Sequence, residues 1–421
     1  MPTTLAEWLT YLESLHPKTI ALGLDRVAEV KQRLNLDPCF PVIVVGGTNG
    51  KGSVCAMAES MLSAAGYRVG CYTSPHLLHY NERVRVDRQS ASDTELCASF
   101  KKIEKARGDI PLTYFEFGTL AAMQLFMENK VDVAILEVGL GGRLDAVNAF
   151  DADCAIVTSV DIDHTDYLGD TIEKIAFEKA GIFRKGRAAI FADRIVPDAI
   201  VEHAEKIGAE LWCMGREFGF TPHQGQWDYR SQTGARCSLP YPALRGEFQL
   251  YNASAVLAAL DALKGLLPVS IGAVRVGLSQ VQLAGRFQFI PGRPQLILDV
   301  AHNPHAARQL AANLAALPPA PRTYAVFAML KDKDIAGVAE ALDRHIDTWL
   351  VAGIDALRGA TADELTDALH RVGVRGAVIR FKDTADALAH ACNEADENDR
   401  IVAFGSFYTV AEAMLAQSRS V

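Results

Sequence analysis

Along most of the chain, strand-length apolar runs alternate with helix-length stretches whose apolar positions recur every three and four residues. In the first part this pattern predicts strands over 41–46, 68–73, 131–138, 154–160 and 188–192. It predicts helices between them over 53–65, 93–106, 115–128, 171–180 and 197–207. Such alternation is the mark of an α/β protein with mainly parallel sheets. Residues 215–245 break the rhythm. Their short alternations (EFGFTPHQGQWDYRSQ) predict a small antiparallel hairpin region, followed by a helix over 252–264. Turn residues gather in GRFQFIPGRP, 285–294, and the alternation then restarts. Strands over 295–300, 323–329, 347–352, 376–381 and 400–404, separated by helices over 304–317, 334–345, 361–372, 384–397 and 408–417, predict a doubly wound, Rossmann-like domain. The expected division is 1–284, a linker at 285–293, and 294–421.

A chain of 421 residues is too long for one ordinary core, which agrees with two domains. Hydrophobic content of 49% and charged content of 22% describe a soluble globular protein. The net charge of −9 offers no basic surplus for a nucleic-acid track, although it leaves room for a local basic pocket. The eight cysteines are scattered without a C-x-x-C pair, which suits reduced thiols better than disulfides or zinc. The start, MPTTLAEWLTYLESLH, carries Glu7 and Glu13 and does not read as a signal peptide, and no stretch approaches a membrane span. A cytoplasmic monomer without nucleic-acid or membrane partners is expected.

Residues 46–54, GGTNGKGSV, lie between a predicted strand and a predicted helix. Gly46, Gly47, Gly50 and Gly52 leave backbone N–H groups open to an anion, Lys51 carries a charge suited to β- and γ-phosphates, and Ser53 opens the helix. The N-terminal domain therefore reads as a P-loop ATPase type, although Gly52 departs from the strict G-x-x-x-x-G-K-[ST] order. Two GTPase-like matches, DYLG at 166–169 and NKVD at 129–132, occur in the wrong order and are chance matches.

Other stretches bear chemistry at strand ends. Ser74, in TSPHLLHYNERVRV, follows the second strand and fits either a magnesium ligand or a turn cap before Pro75. Arg83 and Arg85 of the same stretch face either an acidic substrate or solvent. Glu137 ends an apolar strand, where a carboxylate needs a cation such as Mg²⁺ or an ion-pair partner. His164 stands among Asp161, Asp163 and Asp166 at another strand end, as a metal ligand would. Lys179, taken alone, reads as a salt-bridge lysine. In the second domain Asp299 ends a strand, and His302, Asn303 and His305 fill the ligand-facing loop that follows.

Taken together, GGTNGKGS, TSPHL, NERVRV, TYFEFGTLAA, EVGLGGRLDAVN, DHTDYLG, EKAGIF, GRFQ, DVAHNPHAA, MLKDKD and GSF resemble the folylpolyglutamate synthases of the Mur ligase superfamily. The nearest resemblance is to the bacterial bifunctional dihydrofolate synthase/folylpolyglutamate synthases, from SLHPKTIALGLDRV to GSFYTVAEAM. In this family the loop runs T-N-G-K-G-[ST], which accounts for Gly52.

The resemblance implies an ATP-dependent ligase that joins L-glutamate to dihydropteroate and to tetrahydrofolate or its polyglutamates through an acyl phosphate. It implies that Asn49, Gly50, Lys51, Gly52 and Ser53 hold ATP phosphates, and that Asn252, Arg286 and Asp299 are further ATP contacts, Arg286 from the linker. It also implies two Mg²⁺ sites, with Ser74 and Glu137 at one and His164 at the other, and Lys179 carried as a carbamate ligand. Leu22, Gly23, Leu24, Thr113, Tyr114, Phe115, Glu116, Leu144, Asp145 and Ala146 match the pterin pocket. His302 and Ser406 fall near the acyl phosphate and glutamate; Lys51, His164, Lys179 and His302 are the catalytic candidates.

Ala21 stands where bifunctional members are expected to carry an acidic residue, which leaves a monofunctional folylpolyglutamate synthase open. A peptidoglycan-type ligase would need a nucleotide-sugar domain before Gly46, and 45 residues are too few for one. A nucleotide-dependent switch is the alternative of another class.

Overall fold

The computed structural model describes residues 2–16 and 20–419. The chain divides into two compact units, Met1–Ala243 with Gln249–Gln282, and Leu244–Phe248 with Leu283–Val421.

The first unit is built on an eight-stranded sheet. Its strands are β1 (Val42–Gly46), β2 (Val69–Tyr72), β3 (Val84–Val86), β4 (Gln89–Ser90), β5 (Val133–Glu137), β6 (Cys154–Val157), β7 (Ala188–Phe191) and β8 (Glu210–Cys213), in spatial order β4-β3-β2-β5-β1-β6-β7-β8. From β2 to β8 neighbouring strands in this order are parallel. They are apolar at nearly every position because both faces are covered, as parallel sheets require. Strands β3 and β4 turn antiparallel at one edge. The sequence pattern did not single them out, since a three-residue and a two-residue strand carry almost no periodicity.

Two further helices, Leu5–Ser14 and Asp25–Leu34, precede β1. The first starts with a reciprocal Thr4–Glu7 capping box. It buries Trp8 completely, with ring centroids 5.8 Å from Phe100 and 6.4 Å from Phe117. The expected hairpin region is a three-stranded antiparallel sheet of β9 (Phe218–Pro222), β10 (Gln226–Ser231) and β11 (Gly234–Pro240). A helix over Gln249–Ala262 follows, then one over Ile271–Gln280 that the pattern had not indicated.

The second unit is a six-stranded sheet of β12 (Gln288–Ile290), β13 (Gln295–Asp299), β14 (Thr323–Phe327), β15 (Thr348–Ala352), β16 (Ala377–Phe381) and β17 (Arg400–Phe404). The order is β12-β13-β17-β14-β15-β16. All neighbours are parallel except β12, an antiparallel edge strand within the turn-rich 285–294 stretch. Because β17 inserts between β13 and β14, the ends of β13 and β17 lie side by side, with Asp299 opposite Phe404. Among the described residues no helix is long and apolar enough to cross a membrane.

Candidate functional site

The glycine loop leaves central strand β1 and enters the Lys51–Ala64 helix. Two of its glycines are required by geometry. Gly47 has φ +139°, and a Cβ there would fall 1.9 Å from Thr158 Oγ1; Gly50 has φ +88°, and a Cβ would fall 2.6 Å from Asn252 Oδ1. The end of β6 anchors the loop. Thr48 N donates to Ser159 O at 2.8 Å, Asn49 N to Ser159 Oγ at 3.2 Å, and Thr158 Oγ1 to Asn49 O at 2.6 Å. Lys51 Nζ folds onto the loop itself, donating to Gly47 O at 3.0 Å and Thr48 O at 3.1 Å. A charged ammonium held by two neutral carbonyls is poised to trade them for phosphate oxygens, which attract it more strongly.

Ser74 and Glu137 meet beside this loop. Glu137, 5% exposed, accepts the Ser74 N–H at 3.1 Å. Lys179 is buried at the end of the Ile172–Ala180 helix. Burial, and then the charge of Lys51, hold its amine down at about 7, with Asp163 pulling the other way. Lys179 thus lies within the fields of Lys51 and of Asp163. The aspartates around His164 fold onto local backbone: Asp161 Oδ1 accepts Ile162 N at 2.7 Å and Asp163 Oδ1 accepts His164 N at 2.8 Å. Among the described residues no group of three or more His, Cys, Asp or Glu gathers as a metal cluster.

The pterin-pocket candidates do come together. Gly23 N donates to Leu144 O at 3.3 Å, which joins the Leu22–Leu24 loop to the Leu144–Ala146 loop. Phe115 packs against Gly139, where a Cβ would lie 2.7 Å from its ring, and its centroid is 5.7 Å from that of Tyr72. Tyr114 is set edge-on to Tyr80, and the Arg83 guanidinium lies 5.4 Å from the Tyr80 ring and 5.5 Å from the Tyr114 ring. Burial and Arg83 hold His76 down at about 4, so its neutral Nδ1 accepts Arg83 Nε–H at 2.8 Å.

Asp145 accepts Leu140 N at 2.8 Å and Val147 N at 3.1 Å; burial nevertheless pushes its carboxyl up to about 7, against those N–H groups and Lys51. Thr113 and Glu116 form the capping box of the Tyr114–Glu128 helix, and Glu116 also takes Arg26 Nη2 at 2.9 Å. Arg26 Nη2 donates to Ala21 O at 2.7 Å as well. The loop at position 21 is therefore held through its backbone; Lys18 and Thr19 of the same motif lie outside the described residues. Arg85 faces neither substrate nor solvent but pairs with buried Glu59 at 2.8 Å.

In the second unit Asp299 takes Phe287 N and Ala301 N, each at 2.8 Å, and burial pushes its carboxyl up against the Arg286 charge. Arg286 lies 5.1 Å from the Phe407 ring, and the His302 ring lies 6.3 Å from it. Ser406 Oγ accepts Thr409 N at 3.0 Å, and Asn303 caps the Pro304–Ala315 helix. These candidates converge at the neighbouring ends of β13 and β17.

Sequence reasoning missed Arg26, Thr158, Ser159 and Gln249. Gln249 donates to Ser53 Oγ at 3.4 Å. It stands three residues before Asn252 on one helix, and that i,i+3 spacing was the available signal.

The chain matches the Mur ligase middle domain over residues 45–260 and the Mur ligase, glutamate ligase domain over residues 285–407. Its class is thus that of the Mur ligases. The Escherichia coli (strain K12) dihydrofolate synthase/folylpolyglutamate synthase is 47% identical over 411 residues, 97% of this chain and 94% of that one. The Haemophilus influenzae protein of the same description is 43% identical, over 97% of this chain and 96% of its own. A solved structure of E. coli FolC in complex with DHPP and ADP has a TM-score of 0.95 at 46% identity and covers 100% of both chains. A Yersinia pestis bifunctional folylpolyglutamate synthase/dihydrofolate synthase complexed with AMPPNP and Mn ion has a TM-score of 0.93 at 45% identity, over 99% of this chain and 100% of that one. The chain belongs to the dihydrofolate synthase/folylpolyglutamate synthase family.

Proposed function

We propose that this protein is an ATP-dependent ligase that joins L-glutamate to dihydropteroate and to the γ-carboxylate of tetrahydrofolate or its polyglutamates. One observation carries the reading: Val138 N donates to Val45 O at 2.9 Å, so Gly139, against which Phe115 packs, follows β5 beside the start of the glycine loop. A site for a flat ring and a site for phosphates therefore lie close together on one unit. The relatives support it, one with DHPP and ADP and one with AMPPNP and manganese.

A carboxylate is a poor acyl donor because oxide would have to leave. Transfer of the γ-phosphoryl group from ATP gives an acyl phosphate and ADP. The glutamate amine then attacks the acyl carbon, phosphate departs with the bonding electrons, and the amine loses a proton. The backbone of Asn49–Ser53 and the Lys51 ammonium hold the phosphates as charge develops on them. Phe115 and Tyr114 offer ring faces to the pterin, Leu22–Leu24 and Leu144–Ala146 border it, and Asp145 orients it. Asn252, Arg286 and Asp299 serve the nucleotide, and His302 and Ser406 serve the acyl phosphate and glutamate. The domain roles follow: nucleotide and pterin for residues 1–284, glutamate ligation for 294–421, with 285–293 between them.

Glu137 is held to Ser74 through the Ser74 backbone N–H, and the Glu137 carboxylate and the Ser74 hydroxyl are hard oxygen donors of the kind Mg²⁺ takes. His164 and Lys179 would hold a second ion. Magnesium supplies charge neutralisation between two anionic reactants. We assign Lys179 as a carbamate on its match to the EKAGI motif and its burial. A neutral amine attacks CO₂ and releases a proton, which replaces a buried amine near Lys51 with an anion. Free thiols at all eight cysteines support a reducing, cytoplasmic setting.

The test is ADP release by purified protein. It should require glutamate together with dihydropteroate or tetrahydrofolate. Steady ADP release without either would return the protein to a nucleotide-dependent switch.

A further inference from the structure

Gln249 opens the Gln249–Ala262 helix and is completely buried. Its side-chain amide touches two members of the proposed nucleotide site. Nε2 donates to Ser53 Oγ at 3.4 Å, and Oε1 accepts from Asn252 Nδ2 at 2.9 Å. Asn252 in turn lies against the glycine loop, with Oδ1 2.6 Å from where a Gly50 Cβ would stand. One helix face therefore reaches both the start of the Lys51–Ala64 helix and the turn that precedes it.

A carboxamide donates from one end and accepts at the other, so each bond sets the sense of the next. Because Gln249 Oε1 takes the Asn252 amine, Asn252 turns its carbonyl oxygen toward Gly50. Because Gln249 Nε2 donates to Ser53, one lone pair of that hydroxyl is occupied and its proton is left to point elsewhere. An apolar side chain at 249 would fill the same space and release both neighbours. The Asn252 amide would then be free to flip, and the Ser53 proton free to turn.

We infer that Gln249 is a positioning residue for nucleotide binding, which fixes the Asn252 amide and the Ser53 hydroxyl in the senses the phosphate cradle needs. This rests on the nucleotide reading above.

Calorimetry with ADP tests it on the wild type, Gln249→Leu, Gln249→Glu and Ser53→Ala, with dihydropteroate binding and unliganded melting measured alongside. Loss of buried hydrogen bonds should weaken ADP about 30-fold in Gln249→Leu. The glutamate variant keeps an acceptor for Asn252, loses the donor to Ser53 and sets a carboxyl beside the phosphates, so it should weaken ADP at least about tenfold. Dihydropteroate affinity should stay at the wild-type value in both. In the Ser53→Ala background Gln249→Glu should cost ADP less than it does in the wild type, because repulsion by the carboxyl is common to both and only the lost donor drops out; this comparison decides the matter if Gln249→Leu does not fold. Wild-type ADP affinity in the folded Gln249 variants, or equal loss of ADP and dihydropteroate, would overturn the inference alone. A wild type that binds no ADP would overturn the nucleotide reading and this inference with it.

Discussion

Lys51 makes its hydrogen bonds to the carbonyls of its own loop, so the folded chain does not depend on it for a buried partner. Lys51→Ala should therefore melt close to the wild type while kcat falls about a thousandfold, since its charge acts mainly on the phosphates in the transition state. Steady-state kinetics beside a thermal melt would check both halves. Asp145 behaves differently. Its carboxyl is raised from 3.8 to about 7 by burial, so between those values the fold holds a proton that the unfolded chain has released. Its contribution to stability is fully present below about pH 4 and is lost as pH rises through 7. Relative to Asp145→Asn, the wild type should lose on the order of 3 kcal/mol between pH 4 and 8 in urea unfolding. A parallel pH dependence in the two proteins would show that Asp145 is already ionised in the fold. Some residue-level meaning was legible early. The Lys51 loop announced itself by its glycines. Thr113 and Glu116, matched to the pterin pocket by resemblance, also carry a T-x-x-E signature that was not read, and the structure makes them a reciprocal helix cap.

At the scale of elements, the small β9–β11 sheet depends on one buried carboxylate. Asp261, 6% exposed, accepts Tyr229 OH at 3.0 Å and Ser231 Oγ at 2.7 Å, and pairs with Arg236. These bonds tie two strands to the Gln249–Ala262 helix, which carries Gln249 and Asn252. Asp261→Ala leaves the largely buried Arg236 without its counter-charge and should cost about 3 kcal/mol in denaturant unfolding, with early proteolysis within 218–240. An unchanged unfolding midpoint would mean that apolar packing alone seats the sheet. Long fully buried strands such as β1 and β5 were legible because both faces demand apolar residues. The short strands β3, β4 and β12 were not, since two or three residues carry no period. The Leu5–Ser14 helix was missed although its capping box was in the sequence.

At the scale of the molecule, the proposed pocket offers one aromatic wall to one ring system. Dihydropteroate and tetrahydrofolate carry the same kind of ring and should exclude one another. Each should inhibit the other's glutamylation competitively, with an inhibition constant matching its own KM. Dihydropteroate that neither reacts nor inhibits would make this a folylpolyglutamate synthase alone. By itself the sequence determined the α/β class, the break in rhythm near 215 and 285, the glycine loop and the ordered motifs of the family, because each is written in neighbouring residues. Only the tertiary structure decided which polar groups the chain spends on itself. It gave Glu116 to Arg26, Arg85 to Glu59 and Gln249 to Ser53 across 90, 26 and 196 positions. It also decided that Lys179 loses its ordinary basicity, since burial and the field of Lys51 come from residues distant in sequence. Local pattern records what a residue can do; its long-range partners set the charge and orientation with which it does it.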